Sequence, residues 1–137
     1  MVRAECTYHV VWATYRRQPC VDAAAERIIF QSIRERALKL GSRVMAVNGM
    51  PDHIHVVAQI PPTIALSEWI RQVKGVSSRD LNRANGLTSQ KFAWQSGYGV
   101  FTVGLRGLPD VVRYVENQKS HHGAQTIIAA VEDIGDD

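Results

Sequence analysis

The 137-residue chain has only two cysteines, Cys6 and Cys20. They show no metal-ligand spacing and are too few for a disulfide framework, which excludes a zinc ribbon or a disulfide-stapled scaffold. No apolar run approaches the ~20 residues of a membrane span, and no signal-peptide pattern opens the chain, so the expected location is the cytoplasm. Gly-rich phosphate loops of the Walker or dinucleotide type are absent, which argues against a nucleotide cofactor. Internal repeats, low-complexity tracts and Gly/Ser linkers are also lacking, so residues 1–137 read as one domain. What remains is ordinary for a soluble globular protein: 45% hydrophobic and 21% charged residues, with a net charge of +3. Four acids fall in the acidic tail, residues 132–137, so the rest of the chain is more basic than the total. That balance permits a polyanionic partner.

Periodicity places the elements. Cys6 to Ala13 is rich in β-branched and aromatic residues and predicts a first strand. Asp22 suits the N-cap of a helix to about Leu40, with Ile29, Ile33, Ala37 and Leu40 as its core stripe and Gly41 as its stop. Arg43 to Val47 reads as a strand, Asn48-Gly49 as a tight turn, and Ile54 to Ile60 as the next strand, closed by Pro61-Pro62. A second helix from Leu66 to Ala84 buries Leu66, Trp69, Ile70, Val73, Val76 and Leu81. Phe92 to Val103 is strand material broken by Gly97 and Gly99, and Pro109 opens a third helix running to about His122. Strand, helix, strand, strand, helix, strand, helix is the split βαβ, ferredoxin-like order. It is an α+β fold with an antiparallel sheet, helices on one face and a C-terminal helix. That fold hosts many functions, so function rests on the site.

The most informative stretch is His53-Ile54-His55. Alternation on a strand puts both imidazoles on one face and Ile54 on the other. Two histidines so spaced are a modest metal signal, and structural histidines are the commoner outcome. Asp52 reads equally as a turn acid or as a group orienting an imidazole. On the third helix Tyr114 and Gln118 are four apart and share a face. The Gln118 carbonyl is a hard ligand suited to Mg²⁺ or Mn²⁺, and Tyr114 offers an oxygen nucleophile. Alone, such a residue is most often a half-buried helix tyrosine. His121 and His122 point about 100° apart and read as cations at a helix C-terminus.

Arg71, Lys74, Ser78 and Asn82 line one face of the second helix, with Arg79 and Arg83 beside them. A solvated face is the plain reading; a phosphate-binding face is the functional one. Ser77 offers a further hydroxyl, and Arg16-Arg17 a second phosphate track. Trp94 and Tyr98 are candidates for stacking unpaired bases, whereas Phe101 reads as packing.

Five motifs in this order resemble one family, the single-tyrosine HUH transposases of small insertion sequences that move as single-stranded DNA. They are Tyr15-Arg16-Arg17, Met50-Pro51-Asp52-His53-Ile54-His55, Lys74-Gly75-Val76-Ser77-Ser78-Arg79, Trp94-Gln95-Ser96-Gly97-Tyr98-Gly99 and Tyr114-Val115-Glu116-Asn117-Gln118. The resemblance implies that His53, His55 and Gln118 bind the metal and that Tyr114 is the nucleophile. It implies cleavage of single-stranded DNA at hairpin ends through a 5′-phosphotyrosine and release of a 3′-OH. It also implies a homodimer, the state of many members, in which the tyrosine helix can act within its own subunit or complete the site of the other. A close branch, the REP-associated tyrosine transposases, shares these motifs and includes host hairpin nucleases. The rival from another class is a ferredoxin-like nucleic-acid-binding module without catalysis.

Overall fold

The computed structural model describes residues 4–86 and 91–121. Its elements are β1 (Thr7–Ala13), α1 (Ala23–Lys39), β2 (Arg43–Met50), β3 (His53–Gln59), α2 (Leu66–Asn85), β4 (Gly99–Val103) and α3 (Leu108–Glu116). Short 3-10 turns lie at Tyr15–Arg17 and Gln118–His121. The acidic tail and His122 lie outside the described residues. The sheet order is β2-β3-β1-β4 and every neighbouring pair is antiparallel. Strand β3 is inserted between β1 and β2, which makes β1–α1–β2 a split βαβ unit and gives the expected ferredoxin-like fold.

Strand alternation divides the chain between two faces. Val10 and Trp12 of β1 and Ile54, Val56 and Ala58 of β3 join the core under α1 and α2. Each fully buried Val or Ile side chain among these contributes roughly 1.5–3 kcal/mol. Asp22 caps α1 by accepting from the Ala25 amide at 2.8 Å, and Gly41 ends it at a φ of +73°. Helix α3 packs on the opposite face, where Val115 meets Ala46 and Val57, flanked by Leu108, Val111 and Val112. His9, Val11, His53 and His55 alternate onto this second face.

Four local expectations need correction. Asn48-Gly49 is not a turn: β2 runs to Met50, and Pro51-Asp52 joins it to β3, pairing Met50 with His53. Asn48 is spent on α3, donating from Nδ2 to the Glu116 carbonyl at 3.0 Å. Gly49 serves close approach, because a Cβ there would collide with the His53 carbonyl oxygen and lie 2.9 Å from Ile54 Cδ1. The third helix does not reach His122. It stops at Glu116, leaves helical geometry at Asn117 and re-enters as a 3-10 turn. The strand over Phe92–Val103 narrows to Gly99–Val103 plus one bridge between Thr14 and Trp94. Finally, Ser77, not Val76, is the fully buried residue of that α2 turn.

Candidate active site

The hairpin Met50–His53 holds the first histidine at the mouth of β3, and the next β3 residue on the same face is His55. They are buried, at 6% and 0% exposure, with ring centroids 5.1 Å apart. Ile54 points into the opposite core, as alternation requires.

Each imidazole is anchored through Nδ1. His53 Nδ1 donates to Asp52 Oδ1 at 2.7 Å. Nδ1 of His55 lies 2.8 Å from Nε2 of His9, a buried neighbour on β1, and the two rings stack with centroids 5.0 Å apart. In both histidines the ring nitrogen outside these two contacts is Nε2, and metal-ligating histidines are commonly held from behind through their other nitrogen. Asp52 thus orients an imidazole. Burial works against its carboxylate, but the His53 hydrogen bond and the Arg17 charge outweigh it and hold the pKa below the usual value. Arg17 Nε donates to Asp52 Oδ2 at 3.2 Å, so the Tyr15–Arg17 turn is tied to the histidines. That turn places Arg16 and Arg17 at φ 55° and 56°, a left-handed pair of non-glycine residues costing about 1 kcal/mol or more each. The Thr14 hydroxyl, donating to the Gln18 carbonyl at 2.7 Å, helps to hold it.

Tyr114 reaches the pair from α3. Its ring is edge-on to His55 with centroids 5.9 Å apart, within the same chain. Gln118 is buried at 4% exposure. The residues around it fix its place. The Glu116 carbonyl accepts from Asn48 Nδ2, and Lys119 Nζ donates to Asn48 Oδ1 at 2.8 Å and to the Gly49 carbonyl at 3.0 Å. Asn48 is the cross-strand partner of His55. The Gln118 segment is therefore clamped beside His55, although the helix has ended before it. Among the described residues no three His, Cys, Asp or Glu side chains are grouped to hold a metal. The groups here that could hold a cation of the Mn²⁺ or Mg²⁺ kind are the two imidazoles and the Gln118 amide oxygen.

The expected DNA-binding residues do not gather in one place. Helix α2 lies across the sheet from the histidines. On it Arg71 makes a bidentate pair with Glu68, at 2.9 and 2.6 Å, and Arg79 Nε lies 3.5 Å from Asp80 Oδ1. The hydrogen bond from Arg71 holds Glu68 down at a pKa of about 2. Arg83 is exposed, and the Ser78 hydroxyl donates to the Gly75 carbonyl. Lys74 faces inward instead: its ammonium donates to the carbonyls of Gln95, Ser96 and Gly97 at 2.8, 3.3 and 3.1 Å, bracing the loop before β4. Trp94, expected to stack bases, packs edge-on against Trp12 and Phe92 and donates from Nε1 to Ser77 Oγ, so its indole is spent in the core. Ser77 is fully buried by the same contact and presents no hydroxyl to a ligand. Tyr98 is 37% exposed, and Phe101, read as packing, is 41% exposed on the edge strand. The sequence reading missed His9. Its signal was one of register, a polar residue on β1 two positions before the partner of His55.

Comparison with known proteins bears on the same span. The chain is 28% identical over 116 residues to the ISDra2 transposase TnpA of Deinococcus radiodurans, covering 81% of this chain and 82% of that one. It is 28% identical over 120 residues to the transposase for insertion sequence element IS200 of Salmonella typhimurium, covering 85% and 78%. A crystal structure from Deinococcus radiodurans, described as a transposase, superposes with a TM-score of 0.70 at 25% identity, over 85% of this chain and 93% of that one. A REP-associated tyrosine transposase solved with a REP hairpin shares the fold, with a TM-score of 0.65 at 16% identity over 90% and 73%. The sequence pattern described as "Transposase IS200 like" matches residues 2–118, and the chain belongs to that family of transposases.

Proposed function

We propose that this transposase is a metal-dependent single-stranded DNA endonuclease and strand transferase with Tyr114 as nucleophile. One observation carries the reading: the Tyr114 ring stands against His55, whose Nδ1, like that of His53, is occupied from behind. A non-catalytic binding module would have no need of that convergence. His53, His55 and Gln118 would hold Mg²⁺ or Mn²⁺. The bound cation would polarise the scissile phosphate, so that a phenol, a group with an ordinary pKa of about 10, attacks without a strong base.

In the first step the Tyr114 Oη–P bond forms and the P–O3′ bond breaks. The phenol gives up its proton and the departing 3′ oxygen gains one. The 5′-phosphotyrosine keeps the energy of the broken diester, so a second 3′-OH can reverse the exchange and join new ends without a nucleotide cofactor. The substrate is single-stranded DNA carrying a hairpin. Its flanking strand would pass Arg16, Arg17 and exposed Tyr98, while Arg71, Ser78, Arg79 and Arg83 would meet phosphates on the α2 side. A homodimer acting in the cytoplasm completes the reading.

The test is a denaturing gel of the protein with a 5′- or 3′-labelled hairpin oligonucleotide, with and without Mn²⁺. A cleaved product and a covalent protein–DNA band that both require the metal support the reading. Salt-sensitive binding with neither would make the protein a binding module.

A further inference from the structure

We propose that His9 is a positioning residue that holds His55 in the tautomer carrying its proton on Nδ1. The inference rests on the metal-binding reading above and deepens it.

His9 and His55 are 3% and 0% exposed, and their rings meet through Nε2 of one and Nδ1 of the other, 2.8 Å apart. On the sheet Val57 is the cross-strand partner of His9 and Val11 that of His55, while the rings of His53 and Tyr114 stand against His55. Two ring nitrogens in contact can share only one hydrogen. If His9 donates it, His55 must carry its own proton on Nε2, the nitrogen outside the contact, and that nitrogen has no lone pair to offer. If His55 donates, Nε2 is bare. Only the second state is competent to ligate, so His9 must accept.

His53 obtains the same tautomer from a carboxylate, Asp52, which is itself tied to Arg17. The two histidines are thus backed unequally, one by an anion and one by a neutral ring. An anion strengthens the donor nitrogen of the ring it backs more than a neutral acceptor does. A neutral acceptor at fully buried His55 also avoids burying a carboxylate there.

The experiment compares wild type with His9→Gln, which keeps a carbonyl acceptor, and His9→Leu, which keeps volume without one. Long-range ¹H–¹⁵N correlation at about pH 8 reads the His55 tautomer in the metal-free protein, and calorimetry reads affinity for Mn²⁺ alone. Circular dichroism checks that each variant is folded. Wild type and His9→Gln should show the proton on Nδ1 of His55. His9→Leu should show it on Nε2 and bind Mn²⁺ about 10- to 100-fold more weakly. Wild type with the proton on Nε2, or His9→Leu with wild-type tautomer and affinity, overturns the proposal. If His9→Leu does not fold, His9→Gln decides: a proton on Nε2 of its His55 overturns the proposal and one on Nδ1 supports it. If wild type takes up no Mn²⁺ while the tautomer still follows residue 9, the metal reading fails and the role of His9 stands.

Discussion

Replacing Asp52 by alanine tests the group that ties His53 to the Tyr15–Arg17 turn. Its carboxylate accepts from His53 Nδ1 at 2.7 Å and from Arg17 Nε at 3.2 Å. The Arg17 pair is about one-third exposed on each side and contributes little, at most about 1 kcal/mol. The bond to buried His53 is the larger, so the total loss is about 1–2 kcal/mol. For a domain of this length that lowers the melting temperature by about 4–8 °C. The sign with pH follows from the depressed pKa of Asp52. Its stabilisation is fully present above the unfolded carboxylate pKa of about 4 and is lost as pH falls through the lower folded value. The gap in melting temperature between wild type and Asp52→Ala should therefore be full at about pH 7 and close on acidification below about pH 4. Without an acceptor at Nδ1, His53 loses its fixed tautomer, and Mn²⁺ affinity should fall about 10- to 100-fold, whereas Asp52→Asn keeps an acceptor and loses less. Thermal unfolding across pH and calorimetry with Mn²⁺ measure both. An Asp52→Ala protein with wild-type metal affinity, or with a gap that widens in acid, refutes the reasoning.

Three other outcomes follow from the same geometry. Gly49→Ala drives a methyl into the His53 carbonyl oxygen, and chemical denaturation should show a loss of about 2 kcal/mol or more, with cleavage falling further than stability. Lys119→Met removes the clamp on Asn48, Gly49 and Glu26; metal affinity should drop several-fold while hairpin binding, read by anisotropy, stays within about twofold. Arg79→Ala should weaken hairpin binding uniformly and reduce the salt slope by about one, without changing the cleavage rate at saturating DNA.

The fold was legible because its signals are periodic. Alternation in β3, the capped stripe of α1 and the apolar face of α2 each specify one buried side, and the element order leaves few topologies. Asn48-Gly49 misled because the dipeptide that favours a tight turn also suits a strand where Asn bonds a neighbouring helix and Gly admits a close backbone. The end of α3 was hidden because the i, i+4 offset of Tyr114 and Gln118 looks helical, whereas tertiary hydrogen bonds to Asn48 set the last turn. Lys74, Ser77 and Trp94 illustrate the general difficulty. A helical wheel assigns faces, but it does not show a loop folding back to take an ammonium on three carbonyls or an indole onto a hydroxyl. His9 depended on strand register, which needs the partner strand to be known.

The most direct measurement of the central claim is mass spectrometry of the covalent protein–DNA adduct after protease digestion. The account predicts that the nucleotide is carried by the peptide containing Tyr114 and that Tyr114→Phe yields no adduct while hairpin affinity persists. An adduct mapped to exposed Tyr15 or Tyr98, or one that survives Tyr114→Phe, would contradict it.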